Sequence, residues 1–320
     1  MKTKHDFLSI TDFTADEVLK VLTIATKLKK QVRRDGGNSP VFAGKTLIMI
    51  YEKPSLRTHA SFEIGMTQLG GHALYFGPEH IGLGKREPVE HAAKVLSSMG
   101  DVIMARVFKH ETVAELAKYS TVPVINGLSD LEHPCQILAD LLTIQEHFGR
   151  LQGIRLAYVG DGENNVTHSL ALAAGLLGMH ISVGSPKGYT MKPDVVLHAR
   201  MLAKRSGGSV TQTDNPKEAV HGAQVVYTDT WISMGDEVEK AKRLKIFPPY
   251  QINNKLMKLA KPEAIFMHDM PAYLGNEVTK MVFDSPHSVV YLQAENRLHA
   301  QKGLLVFLLT YEGKFHTGTW

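Results

Sequence analysis

The sequence predicts an α/β fold of two doubly wound parallel-sheet domains joined by a long helix, with the C-terminal helix returning to the first domain. Three observations predict it. Short apolar runs alternate with helix-period segments along most of the chain; the alternation comes as two series separated by a long helical stretch at 133–149; and the last apolar run leads into one further helical segment. Strands separated by helices imply parallel pairing through right-handed crossovers, so each series forms its own sheet.

The first helix is FTADEVLKVLTIATKLKKQV. Thr14 and Glu17 have the spacing of a capping box, Val18, Leu19, Leu22, Ala25 and Leu28 recur at helical period, and RRDGGNSP reads as the loop that follows. TLIMIY (46–51), HALYFG, VIMARV and PVINGL are the strands of the first series. HPCQILADLLTIQEHFG (133–149) is the connector helix, and IRLAYVGD (154–161), HISVGSP, SVTQT, VVYTDT, IFMHDM and VVYLQ are the strands of the second series. AENRLHAQKGLLVFLLT is the last helix. The domains are accordingly 1–135, completed by 294–320, and 150–293.

Composition narrows the class. The 320 residues are 43% hydrophobic and carry a net charge of +4, with acidic and basic residues mixed throughout, so no basic stripe argues for nucleic acid. A mild positive excess suits small anions. Cys135 is the only cysteine, which excludes an intramolecular disulfide and a cysteine-based zinc site. MKTKHDFLSI has no sustained apolar region, and no apolar run is long enough to span a bilayer. A soluble cytoplasmic protein with no membrane partner is expected.

In open parallel sheets, ligands sit at the carboxyl ends of strands. Six strand ends here carry polar groups. TLIMIY runs into EKPSLRTHASFE, where Ser55, Arg57 and Thr58 offer two hydroxyls and a guanidinium beside the free N–H groups of a helix start, a setting made for phosphate. VIMAR ends at Arg106; PVINGL leads to His133, Pro134 and Gln136; AYVGDGENN places Asn164 and Asn165 at a helix start. VVYTDTWISMG carries Asp229, Ser233 and Met234, and FMHDMP carries His268 and Asp269. Singly, each has an ordinary structural reading: an N-cap, a turn, or a hydrogen-bonded histidine. GDG does not make a dinucleotide site, because the third glycine of G-x-G-x-x-G is missing and Ser182 stands where the ribose-binding acid would fall. No H-E-x-x-H-type spacing points to a metal.

Taken together, EKPSLRTHASFE, MARVFKH, VINGLSDLEHPCQILADLLT, YVGDGENNVTHSL, YTDTWISMG with KAKRLKIFPPYQIN, HDMPAYLGNEVT and AENRLHAQKGLL resemble the transcarbamylase family over nearly the whole chain, most closely its ornithine carbamoyltransferase members. The resemblance implies direct attack of an amine on carbamoyl phosphate, giving a ureido product and phosphate, with no cofactor, no metal and no covalent enzyme intermediate. It implies that Ser55, Leu56, Arg57, Thr58 and Arg297 hold the phosphate, that Arg106, His133 and Thr58 stabilise the charge gained by the carbamoyl oxygen, and that Gln136 orients the carbamoyl NH2. Asn164 or Asn165 and the backbone at Met234 would take the α-carboxylate of L-ornithine, Asp229 and Ser233 its α-amino group, and Asp269 and Met270 would be shared by both substrates. It also implies a homotrimer and a place in arginine metabolism.

Three positions depart from the family pattern. Leu56 stands where S-T-R-T carries a hydroxyl, a loss of roughly 0.5–1.5 kcal/mol if the backbone N–H still binds. Gly82, in GPEHIGLGKRE, stands where the family sends a glutamine into the neighbouring subunit. Asp269 replaces the cysteine of H-C-L-P. A carboxylate about 4 Å from a phosphate dianion is repelled by several kcal/mol, and it favours the cationic, unreactive form of an amine. Asp269 therefore opens two alternatives to ornithine transfer: carbamoylation of a different diamine or diamino acid, or a catalytically weak ligand-binding paralogue with a regulatory role.

Overall fold

The computed structural model describes residues 4–84, 86–232 and 237–310. The chain divides into two units, one comprising residues up to Leu142 together with those from Asn296, the other Thr143–Glu295.

In the first unit, α1 (Ala15–Asp35) starts at the predicted capping box of Thr14 and Glu17. It runs three residues beyond Val32, because Arg33 and Arg34 suit the negative end of the helix dipole and Gly36, at φ 76°, supplies the left-handed cap. Then follow β1 (Thr46–Tyr51), α2 (Leu56–Gln68), β2 (His72–Phe76), α3 (Val89–Met99), β3 (Val102–Arg106), α4 (His110–Tyr119), β4 (Val124–Leu128) and α5 (Pro134–Phe148). The strands pair in parallel in the order β2-β1-β3-β4. Ile48, Ile50, Ile103 and Ala105 of the sheet pack with Val113, Leu116 and Ala93 from the flanking helices.

The second unit contains β5 (Arg155–Val159), α6 (Asn165–Leu176), β6 (His180–Gly184), α7 (Pro193–Ser206), β7 (Ser209–Thr213), α8 (Pro216–Val220), β8 (Val225–Tyr227), α9 (Lys240–Ile246), α10 (Asn254–Met257), β9 (Ile265–Met267) and α11 (Lys280–Phe283). Its sheet is also parallel, in the order β7-β6-β5-β8-β9.

The run VVYLQ, expected as a strand, instead opens α12 (Val290–Thr310). The residues just before it make the backbone bonds to the sheet: the Phe266 N–H donates to His287 O at 2.8 Å, and the Val289 N–H to Phe266 O at 3.0 Å. The helix wins because its inward face is Val290, Gln293, Asn296 and Arg297, all buried and at helical spacing. Three of the four are polar, so an apolar count misses the period. From Asn296 on, α12 belongs to the first unit, where Gly303 lets it close on α1: a Cβ there would lie 2.6 Å from Val21 O. Among the described residues, no helix is long and apolar enough to cross a membrane.

Candidate active site

The order β2-β1-β3-β4 puts the topological switch of the first sheet between β1 and β3, whose carboxyl ends, Tyr51 and Arg106, lie in register. The β3–β4 register shifts between Ala105 and Arg106, an irregularity of the kind that re-aims a side chain at a sheet end. Beyond β1, Ser55 caps α2. Its Oγ accepts the Thr58 N–H at 3.4 Å and donates to Thr58 Oγ1 at 3.1 Å. The N–H groups of Leu56 and Arg57 precede the first possible intrahelical bond. The Leu56 side chain is 80% exposed and buries almost nothing, so the turn uses this residue for its backbone.

Arg297 of α12 reaches the same turn. Its Nη2 donates to Thr58 Oγ1 at 3.2 Å and its Nη1 to Gln136 Oε1 at 2.5 Å, while Gln136 Nε2 donates to Asp140 Oδ1 at 2.9 Å. With the Gln301 amide oriented so that its oxygen faces the guanidinium, Gln301 accepts from Arg297 Nε and Nη2 at 3.0 and 3.1 Å. His133 is buried. Burial, then the charges of Arg297, Arg106 and Lys53, hold its imidazole well below the usual range, so at neutral pH it is an uncharged ring able to donate one N–H. Arg297, Arg106 and Lys53 thus lie close to a neutral histidine, and Arg297 joins it to the Ser55–Thr58 turn, which suits a phosphate dianion and a polarised carbonyl. Burial also pushes the Cys135 thiol up to about 12, leaving an inert thiol. Gly82 lies in a loop closed by the Arg86 N–H donating to Gly82 O at 2.8 Å.

The second sheet switches between β5 and β8. After β5, Asn164 caps α6, its Oδ1 accepting the Val166 N–H at 2.7 Å, while its Nδ2 donates to Asp229 Oδ2 at 2.6 Å. Asn165, the first residue of α6, is half-buried. Asp229 follows β8, and its Oδ1 accepts the Thr230 N–H at 2.6 Å. Behind this turn, Asp161 accepts from the buried Arg243 Nη1 at 2.5 Å, and Arg243 also donates to Trp231 O at 3.0 Å. Burial pushes the Asp161 carboxyl up to about 6 against the pull of Arg243. Ser233 and Met234 lie outside the described residues.

Asp269 follows β9, next to β8, and so meets Asp229. The ionisable atoms of Asp229, His268 and Asp269 all lie within 4.8 Å of one another. Burial, then the charge of and a hydrogen bond from Asp269, push the Asp229 carboxyl well above the usual range. Burial beside Asp269 thus favours the protonated form of Asp229. His268 Nδ1 stands 3.5 Å from Asp269 Oδ1, and Nε2 3.2 Å from the buried Glu277 Oε1. Burial depresses this imidazole, but Asp269 and Glu277 outweigh it and lift it to about 9. The Met270 N–H also points at Nδ1, at 2.9 Å. Met270 itself sits at φ 56°, a left-handed conformation strained for this residue type. Gln293 completes the frame, accepting the His268 N–H at 2.9 Å and donating to Tyr227 Oη at 3.0 Å.

Each unit thus gathers its own set of the predicted residues. The family model for the carbamoyl-P binding domain of aspartate/ornithine carbamoyltransferases matches residues 5–146, and that for the Asp/Orn binding domain matches residues 152–308. The chain belongs to the aspartate/ornithine carbamoyltransferase family. An ornithine carbamoyltransferase of Anoxybacillus flavithermus is 51% identical over 304 residues, 95% of this chain and 96% of that one. Among solved structures, that of the Pyrococcus furiosus ornithine carbamoyltransferase is similar with a TM-score of 0.93 and 48% identity, covering 97% of this chain and 99% of that one. The anabolic enzyme of Campylobacter jejuni gives 0.90 and 41%, covering 96% and 99%.

Family resemblance alone leaves several residues without a role. Lys53 lies inside EKPSLRTHASFE, and Glu277 inside HDMPAYLGNEVT, but neither string tells that the side chain is buried. Arg243 lies in the basic run KAKRLKIFPPYQIN, which does not mark it as the buried member of α9.

Proposed function

We propose that this carbamoyltransferase moves the carbamoyl group of carbamoyl phosphate to the side-chain amine of L-ornithine, giving citrulline and phosphate. The observation that carries the reading is the phosphate-ready turn, Ser55 to Thr58 backed by Arg297, beside a neutral buried His133. Ser55, Arg57, Thr58, Arg297 and the N–H groups at Leu56 hold the phosphate. The amine lone pair attacks the carbamoyl carbon; Arg106, His133 and Thr58 stabilise the charge that develops on oxygen, and Gln136 holds the carbamoyl NH2. In the second unit, Asn164 or Asn165 and the backbone at Met234 take the α-carboxylate, while Asp229 and Ser233 take the α-ammonium. The family setting adds a homotrimer in the cytoplasm serving arginine metabolism.

Phosphate release from carbamoyl phosphate is to be measured with L-ornithine, L-lysine, putrescine and shorter diamino acids as separate acceptors. Saturation with ornithine, and citrulline as product, is the expected result. The contact between Asp229 and Asp269 favours one second reading, a different cationic amine as acceptor, and turnover with another member of the panel in preference to ornithine would establish it. Because the Leu56 side chain is exposed, Leu56→Thr adds a hydroxyl without disturbing packing. It is expected to tighten carbamoyl phosphate by about 2- to 10-fold, equivalent to roughly 0.5–1.5 kcal/mol, read from the KM for carbamoyl phosphate. An unchanged or higher KM would place position 56 away from the phosphate.

A further inference from the structure

Helices normally cover both faces of a parallel sheet, whose strands are then apolar on both sides. One face of the second sheet departs from this. Residues paired in register point to the same side, so Arg155, His180 and Ser209 form one row across β5, β6 and β7, and Ala157, Ser182 and Thr211 form the next. On the opposite face Leu156, Ile181 and Val210 are buried. Further along, Gly184 lies beneath α8: a Cβ there would stand 3.0 Å from Ala219 Cβ and 3.2 Å from Pro216 Cα. Val220 and Ala223, at and just after the end of that helix, pack with Ala157. With only five residues, α8 covers no more, and the first two rows of β6 and β7 become the floor of a cavity of about 640 Å³. Asn215, Lys217, Glu218 and His221 wall it.

The lining is cationic. Arg155 and Lys217 are exposed and form no ion pair among the described residues. A Cβ added at Gly222 would lie 3.8 Å from Arg155 Nη1, so the guanidinium reaches the turn after α8, beside His221. Glu218, the single carboxylate among the lining residues, accepts from Thr213 Oγ1 at 2.8 Å. His180 Nδ1 and Ser209 Oγ lie 2.9 Å apart, which fixes both side chains on the floor. Ser182 Oγ has no protein partner among the described residues, while Thr211 Oγ1 donates to Ile181 O at 3.3 Å and keeps its lone pairs for a donor.

We infer that this cavity is a binding site for a sugar phosphate. A guanidinium fork and an ammonium are the groups that hold phosphate oxygens most firmly, and imidazole and serine donors add to them. The volume falls within the range of small-molecule sites, well above what a bare phosphate fills. Ser182, Ser209, Thr211 and Asn215 offer donors and acceptors to sugar hydroxyls. No Phe, Tyr or Trp lines the cavity, so a nucleobase finds no stacking platform and the free sugar phosphate is favoured over a nucleotide. The site stands at the amino ends of β5, β6 and β7, whereas Asn164 and Asp229 follow the carboxyl ends of β5 and β8. It is therefore separate from the residues assigned to the amino acid.

Equilibrium dialysis of the full chain against ribose 5-phosphate, uridine monophosphate and inorganic phosphate tests this. Measuring in Arg57→Ala, which weakens the phosphate turn of the first unit, isolates the cavity. Ribose 5-phosphate is expected to occupy one site per chain with a Kd of about 100 μM or below, and inorganic phosphate and the nucleotide to bind roughly tenfold more weakly. Adding Arg155→Gln and Lys217→Gln is expected to weaken ribose 5-phosphate by about 100-fold with Tm unchanged, since both side chains are exposed. Thr211→Glu, which sets a carboxylate on the exposed edge of the floor, is expected to weaken it likewise. Equal binding of phosphate and ribose 5-phosphate would mean an adventitious ion only and overturn the inference. Uridine monophosphate binding as tightly as ribose 5-phosphate would make the ligand a nucleotide and overturn the choice of a free sugar. Occupancy indifferent to the Arg155, Lys217 and Thr211 substitutions, or absent at about 10 mM ligand, would remove the site altogether.

Discussion

Arg106→Gln is expected to lower kcat by about 100- to 1,000-fold, with a smaller change in the KM for carbamoyl phosphate. Arg106 is buried at the carboxyl end of β3, and its charge acts on Tyr51 at the end of β1 and on His133. A donor aimed at charge that appears only in the transition state contributes mostly to kcat, and losing one such donor typically costs about 3–4 kcal/mol. The same substitution removes a positive charge that holds His133 down. The His133 pKa therefore rises, and the acid limb of the kcat profile moves to higher pH. A variant within about threefold of wild type would remove Arg106 from the reacting centre.

Arg243→Ala is expected to destabilise the second unit by about 3–5 kcal/mol at pH 8, the usual cost of breaking a buried ion pair from one side. Arg243 binds Asp161, reaches Trp231 O and lies 4.9 Å from the Tyr189 ring centroid, so little else replaces it. Without it, the Asp161 carboxyl, already lifted to about 6 by burial, rises further. A carboxyl whose folded pKa lies above its unfolded value favours folding at low pH and loses that contribution as pH rises through the folded pKa. The deficit of the variant should therefore shrink as pH falls from 8 to 5, when the orphaned carboxyl protonates. Urea unfolding at the two pH values measures this, and a deficit that grows toward pH 5 would contradict the pairing.

Much of this was legible in the sequence, for local reasons. Capping boxes and apolar runs are written in neighbouring residues, which is why α1 and the nine strands β1 to β9 could be placed from the sequence. The start of α12 was not legible, because its buried face is polar. The placement of Arg57, Arg106 and His133 at or beyond strand ends was legible, since the rule needs only the end of an apolar run. The contact between Asp229 and Asp269 was not, because it depends on β8 pairing with β9 across an intervening stretch of helices and loops. Nor does a basic run reveal which of its members is buried: Arg243 is fixed by Asp161, far earlier in the chain.

The division of the chain has a consequence for its biosynthesis. The first unit is discontinuous, needing residues from Asn296 onward, while the second is one continuous stretch, Thr143–Glu295. A ribosome adding about 5–20 residues per second finishes the second unit before the segment containing Gly303 and Phe307 exists. Until then Phe13, whose ring centre lies 4.9 Å from that of Phe307 in the finished protein, lacks that partner and has only its amino-terminal neighbours such as Phe7. The nascent amino-terminal half must wait, incompletely covered, for its own last helix, so the unit translated first is the last to close.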